Sequence, residues 1–211
     1  MTTYYVKSFE EDFCTKTIID KKKVTCQTLE EIIDSGLIKP NTKSFGQDMR
    51  LSTTVLSDNY LKTYRPQGII FETNEKPNYI LPFDLVLLSD AEDIIVHYYR
   101  IKDNLHIYYN HKLIDGYEKF IFGSFDKMIE LFDSPKKAWK SVNDFRVSKG
   151  YQALPKAKYR LVEYNEAVFE KPLFIKPIAI FGYRKRAREL AQKYNLRYFK
   201  SAKDFYSRKV A

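Results

Sequence analysis

The 211-residue chain carries 36 Lys/Arg against 27 Asp/Glu, a formal charge of +9, with 44% hydrophobic residues and seven glycines. That length and apolar content suffice for one domain with a real core, residues 1–211. They exclude a membrane-spanning helix, because no 18-residue apolar run occurs, and they exclude the phosphate loops G-x-G-x-x-G and G-x-x-x-x-G-K-[ST], which are absent.

Tyr4 to Phe9 reads as a first strand. The opening Met1-Thr2-Thr3-Tyr4-Tyr5 has neither the basic nor the apolar region of a signal peptide. Cys14 and Cys26 lack metal-ligand spacing, so free thiols in a reducing cytoplasm are expected. Thr28-Leu29-Glu30-Glu31 is a capping box, and Leu29, Ile32 and Ile33 form the apolar face of a short helix that Gly36 stops. Pro40 to Asp48 reads as a loop. Leu51–Val55, Gly68–Glu72, Tyr79–Leu81 and Leu85–Leu88 are strand candidates. Ile94–Ile101 and Leu105–Tyr109, separated by Lys102-Asp103-Asn104, form a hairpin.

Ser124 caps a helix with Phe125, Met128, Ile129 and Phe132 at helical spacing. Ser134-Pro135 opens another, carrying Ala138, Trp139, Val142 and Phe145. A loop follows from Lys149 to Tyr159, then strands around Glu166 and Ile180. The last helix follows Gly182, with Ala187, Leu190, Ala191 and Tyr194 on its apolar face. Strands outnumber helices without regular alternation. The fold class is α+β, with helices inserted between the two halves of a strand-rich core.

The charge is unevenly placed. Residues 149–211 hold 16 Lys/Arg and 5 Asp/Glu, a surplus of 11, while residues 1–148 hold 20 and 22, a deficit of 2. Such a basic half is the footprint of a polyanion partner, nucleic acid foremost, set against the ordinary alternative of a solvated basic face. The histidines His97, His106 and His111 cluster, and a hairpin would let His97 and His106 face one another. Without His-x-x-x-His or Cys-x-x-Cys spacing, no metal site is expected.

One stretch stands out for chemistry. Arg160 to Phe169 places a carboxylate at the head of an apolar, β-prone run, behind a loop rich in Lys, Tyr and Pro. Glu163 and Glu166 are rival acids, three residues apart and so on opposite faces of a regular strand. Thr25 to Ile38, with its polar strand end, short helix and Ser35-Gly36-Leu37, resembles the opening of many ADP-ribosyltransferases. Arg50-Leu51-Ser52-Thr53-Thr54 and the distant Asn165-Glu166-Ala167-Val168-Phe169 follow in an order that resembles the DarT family of DNA ADP-ribosyltransferase toxins. Ser52-Thr53-Thr54 is also similar to the Ser-Thr-Ser element of another transferase branch.

The resemblance implies an ADP-ribosyltransferase-like core and an NAD-dependent enzyme that modifies a base in nucleic acid, single-stranded DNA before RNA. It implies Glu166 and Arg50 as the catalytic pair. It also implies a toxin or phage-defence effector, with a cognate antitoxin that removes ADP-ribose or blocks the toxin. The family's usual His near the first strand is missing here. Gln27 and Thr28 are expected to hydrogen-bond NAD in its place, with Ser52 and Thr53. Tyr151, Lys156, Lys158, Tyr159 and Arg160 offer the stacking faces and cations that a single strand requires. The alternative is a non-catalytic nucleic-acid-binding protein of viral or defence origin. A third reading is a metal-independent nuclease using Glu, Asp and Lys.

Overall fold

A computed structural model describes residues 2–9, 14–19, 23–40, 42–43, 49–89, 96–101, 104–109 and 113–210, with the side chains of 14–26, 42–50, 96–109 and 210 outside that description. The chain begins with β1 (Tyr5–Ser8), the hairpin β2 (Cys14–Ile19) and β3 (Lys23–Thr28), then α1 (Leu29–Ser35), β4 (Leu37–Ile38), β5 (Thr42–Lys43) and β6 (Met49–Val55). Next come β7 (Gly68–Glu72), β8 (Tyr79–Leu81) and the hairpin β9 (Val96–Ile101) and β10 (Asn104–Tyr109). Two helices, α2 (Phe125–Leu131) and α3 (Pro135–Ser148), precede β11 (Glu166–Phe169). The chain closes with β12 (Leu173–Phe174), β13 (Lys176–Phe181), α4 (Lys185–Lys193), β14 (Arg197–Phe199) and α5 (Ala202–Val210). The class is α+β.

The main sheet runs β14-β13-β7-β1-β6-β11-β8, with β5 as a further partner of β6. Its described pairings are antiparallel except β13 with β14. Tight approach at its centre needs Gly68: a Cβ there would lie 2.2 Å from the Lys7 carbonyl oxygen. α2 and α3 lie in the sequence between β8 and β11, which are neighbours in the sheet, so the helices are an insertion between paired strands.

The sheet is covered on both faces. Tyr5, Leu51, Ile69, Phe71, Ala167, Phe169 and Ile180 join one large core with α1, α3 and α4. Val6, Ile70, Ala179 and Phe181 face the other way and pack on Ala202 and Phe205 of α5. The alternation Ala179, Ile180, Phe181 therefore puts α4 and α5 on opposite faces of β13. Each fully buried Phe or Leu in these cores contributes about 1.5–3 kcal/mol.

Several local signals hold. The Thr28 hydroxyl accepts from the Glu31 amide at 3.2 Å, the Glu31 carboxylate accepts from the Thr28 amide at 2.8 Å, and Gly36 ends α1 at φ +63°. Ser124 and Ser134 cap α2 and α3 as their hydroxyls imply. Others do not hold. Leu85–Leu88 is a 3₁₀ turn, not a strand: Asp84 caps it through the Val86 amide, and three of its four residues are buried in the core. A short apolar run is equally compatible with a buried turn. Lys149–Tyr159 is not all loop, because a 3₁₀ turn runs from Lys156 to Val162 after Pro155. The same turn removes Arg160–Val162 from the strand, which begins at Glu166.

Candidate active site

β6 and β11 are antiparallel neighbours with Ser52 opposite Val168 and Thr53 opposite Ala167. Ala167 and Phe169 point into the large core, so Glu166 points to the opposite face with Val168 and Ser52. There the Ser52 hydroxyl donates to Glu166 Oε1 at 2.5 Å, a diagonal cross-strand pair. The second oxygen, Oε2, accepts from the Leu85 backbone amide at 3.0 Å. Both carboxylate oxygens are thus held by donors from two other segments, and Glu166 is only 7% exposed. Hydrogen bonds to an ionised acceptor are the strong kind.

The surrounding groups build this geometry. Asn165, fully buried, accepts from the Val55 amide at 2.9 Å and donates to the Val55 carbonyl at 2.8 Å, which fixes the start of β11 against the end of β6. Asp84 accepts from the Val86 amide and from the Tyr164 hydroxyl at 2.6 Å, so it holds the turn that presents the Leu85 amide to Glu166. Burial first, and then the charge of Asp84, push the Tyr164 phenol far above its ordinary range, so it stays a neutral donor. The half-exposed Tyr64 ring stacks edge-on against Tyr164 at 5.8 Å. Lys7, buried in β1, donates to the Ser52 carbonyl at 3.2 Å.

The structure separates the rival acids. Glu163 lies before β11, where it forms a 2.6 Å ion pair with the exposed Lys62. Glu166 is the buried, sheet-mounted one. Arg50 lies on β6 opposite Thr42, and its side chain is outside the described residues. The other expected contacts with NAD divide. Ser52 reaches Glu166, whereas Thr53 points the other way and donates to the Ala167 carbonyl at 3.0 Å. Thr28 uses its hydroxyl for the helix cap. The Gln27 amide bridges the Leu37 carbonyl and the Lys39 amide at 2.8 and 2.9 Å. Gln27 and Thr28 are therefore engaged in folding β3, α1 and β4 together.

Of the residues expected to grip a strand, Lys156 and Arg160 are exposed, on a turn whose Leu161 and Val162 are buried. Lys158 and the two tyrosines are half-buried: Tyr159 packs edge-on against Trp139 at 5.4 Å, and Tyr151 lies under the Arg146 guanidinium at 5.7 Å. Sequence does not single out Tyr64, Tyr164 or Asp84, and it reads Leu85 as part of a strand rather than as the donor of an amide to Glu166. The only signal for them was an aromatic or acid beside a β-prone run, which is common. Cys14, Cys26 and the three histidines have side chains outside the described residues; in the ladder His97 pairs with Tyr108 and His106 with Tyr99, so the two are diagonal rather than opposite. Among the described residues no three His, Cys, Asp or Glu side chains converge on a metal-sized site. A surface groove of about 450 Å³ lies elsewhere, between Lys119, Phe132, Asp144 and Phe145. Its acid, Asp144, is solvent-exposed and forms an i,i+4 ion pair with Lys140 at 2.6 Å, whereas Glu166 is buried with both oxygens held.

No helix among the described residues is long and apolar enough to cross a membrane. Comparison with protein-family models, with characterised proteins and with solved structures returns no match.

Proposed function

We propose that the chain is an ADP-ribosyltransferase that uses NAD to modify a base in nucleic acid, with Glu166 as the catalytic carboxylate. One observation carries the reading: two segments distant in sequence fix both oxygens of a buried carboxylate at the head of a sheet strand. The resemblance to DarT-like enzymes, whose acid opens such a strand, adds to it. Breaking the bond between nicotinamide and ribose leaves its electron pair on nicotinamide and develops positive charge at the ribose C1′, as in glycoside hydrolysis. A preorganised carboxylate stabilises that charge. It then takes the proton released when a base nitrogen bonds to C1′. The balance is NAD plus base giving ADP-ribosyl base, nicotinamide and a proton. Glu166 is 7% exposed, so this role requires the Asp84–Val86 turn to yield as substrate enters, with the donor's hydroxyls replacing the Leu85 amide. Toxicity, a cognate antitoxin and an ADP-ribosyltransferase-like core belong to the same reading.

The test is the mass of a single-stranded oligonucleotide after incubation with protein and NAD. The expected result is a gain of one ADP-ribose, reduced about 10²–10⁴-fold by Glu166→Gln, the size of a general-base contribution. Glu163→Gln should retain transfer. An active Glu166→Gln beside an inactive Glu163→Gln would move the role to Glu163.

A second reading, a non-catalytic nucleic-acid-binding protein, draws on a different observation. Ten of the 16 C-terminal Lys/Arg lie in residues 184–209, on or beside α4, β14 and α5. Oligonucleotide binding without any NAD-dependent mass change would favour it.

A further inference from the structure

Residues 184–209 carry ten Lys/Arg and two Asp/Glu, a net +8 against +9 for the whole chain. All ten cations are exposed. The fold gathers part of them at one rim. β13 and β14 are parallel neighbours with Phe181 opposite Phe199, so the segments leaving their carboxyl ends emerge side by side. The Gly182 amide donates to the Phe199 carbonyl at 3.1 Å and the Tyr198 hydroxyl to the Gly182 carbonyl at 2.7 Å, which lock the two segments together. Arg184 and Lys185 follow one strand, and Lys200 and Lys203 follow the other. Tyr183, next to Arg184, stands 72% exposed.

We propose that this rim, Tyr183, Arg184, Lys185, Lys200 and Lys203, is a docking surface for the phosphate backbone of single-stranded nucleic acid. The surface stands on charge and placement; the choice of a single strand as occupant rests on the base-modifying reading above. Lys and Arg side chains neutralise phosphates and release counterions. The exposed ring of Tyr183 supplies a stacking face for a base. A membrane fits less well, because interfacial helices insert an apolar face, and that of α4 (Ala187, Leu190, Ala191) is already buried in the core. The rim lies far from Glu166. β13 and β11 are four strand steps apart, about 19 Å at about 4.8 Å per step.

The test is fluorescence anisotropy of a labelled 20-nucleotide single strand with the full chain, without NAD, over a salt series. Lys185→Gln, Lys200→Gln and Lys203→Gln are combined in one variant, with the melting temperature checking the fold. We expect at least tenfold weaker binding, and a log–log salt slope shallower by about 2, three contacts at about 0.7 each. Tyr183→Ala should weaken single-strand binding at least about fivefold while duplex binding changes little. Wild-type affinity and slope in a folded triple variant overturn the proposal. So does tighter binding to phosphatidylserine vesicles, or to polyglutamate, that the triple variant loses. Loss of NAD-dependent transfer with binding intact would instead sink only the catalytic reading, so the two failures are distinguishable.

Discussion

Glu166 illustrates what a single carboxylate needs from its neighbours. Without Ser52 its Oε1 loses a hydroxyl donor from a strand 114 positions away in sequence. Hydrogen bonds to charged groups are worth about 1.5–3 kcal/mol, so Ser52→Ala should slow transfer about 10–150-fold and also lower the melting temperature, with the protein still folded at assay temperature. A kcat effect without a matching KM effect, in steady-state assays, distinguishes positioning from substrate binding. Tyrosines make a second prediction. Burial pushes both Tyr164 and Tyr60 above their ordinary range, aided by Asp84 and Asp133 respectively. Their neutral forms are favoured by folding, so this stability is fully present below about pH 10, where the unfolded phenols ionise. Above that pH the unfolded chain binds fewer protons than the folded one, and stability falls as pH rises. Urea midpoints measured from pH 8 to 11 should drop at the alkaline end, and Tyr60→Phe should flatten the drop.

Elements are joined here by side chains that reach backbone in another segment. Arg146 on α3 is buried, and its guanidinium donates to the carbonyls of Leu87, Ser89 and Gln152 at 3.3, 2.7 and 3.1 Å. It ties the helical insertion to the same turn whose Leu85 amide holds Glu166. Arg146→Met keeps much of the apolar stem but leaves those carbonyls without their donor, which costs about 1–3 kcal/mol per unsatisfied group. We expect a loss of about 2–4 kcal/mol in chemical denaturation, at the upper end of ordinary single substitutions. A loss below about 0.5 kcal/mol, the range of neutral surface changes, would show that the network is replaceable. The β6–β11 join works likewise through Asn165, whose amide continues the ladder where the backbone of β11 has not yet begun.

At the scale of the molecule, the sheet sets Glu166 near one edge and the cationic rim near the other. If a strand engages both, its length matters, because the two lie about 19 Å apart at about 4.8 Å per strand step. Transfer measured by mass on 4-, 8- and 16-nucleotide strands should rise steeply once the strand spans that distance, and equal rates on all three would show that the rim plays no part in catalysis. Much of this architecture is legible in the chain itself. Thr28, Glu31 and Gly36 bracket α1, Ser124 and Ser134 open α2 and α3, and the apolar run after Glu166 makes a strand, because caps and periodicity act over a few residues. Leu85–Leu88 misleads because a four-residue apolar run has no period to separate a strand from a buried turn. The basic surplus is visible as a count, yet its division between the Lys156–Arg160 turn and the β13–β14 rim is not. Which glutamate is buried, and that Ser52 meets it, depend on strand order and register between segments more than a hundred residues apart. Those are fixed only when both faces of the sheet bury their cores, since a slip of one residue would exchange the faces of Glu166 and Ala167 and part Glu166 from Ser52.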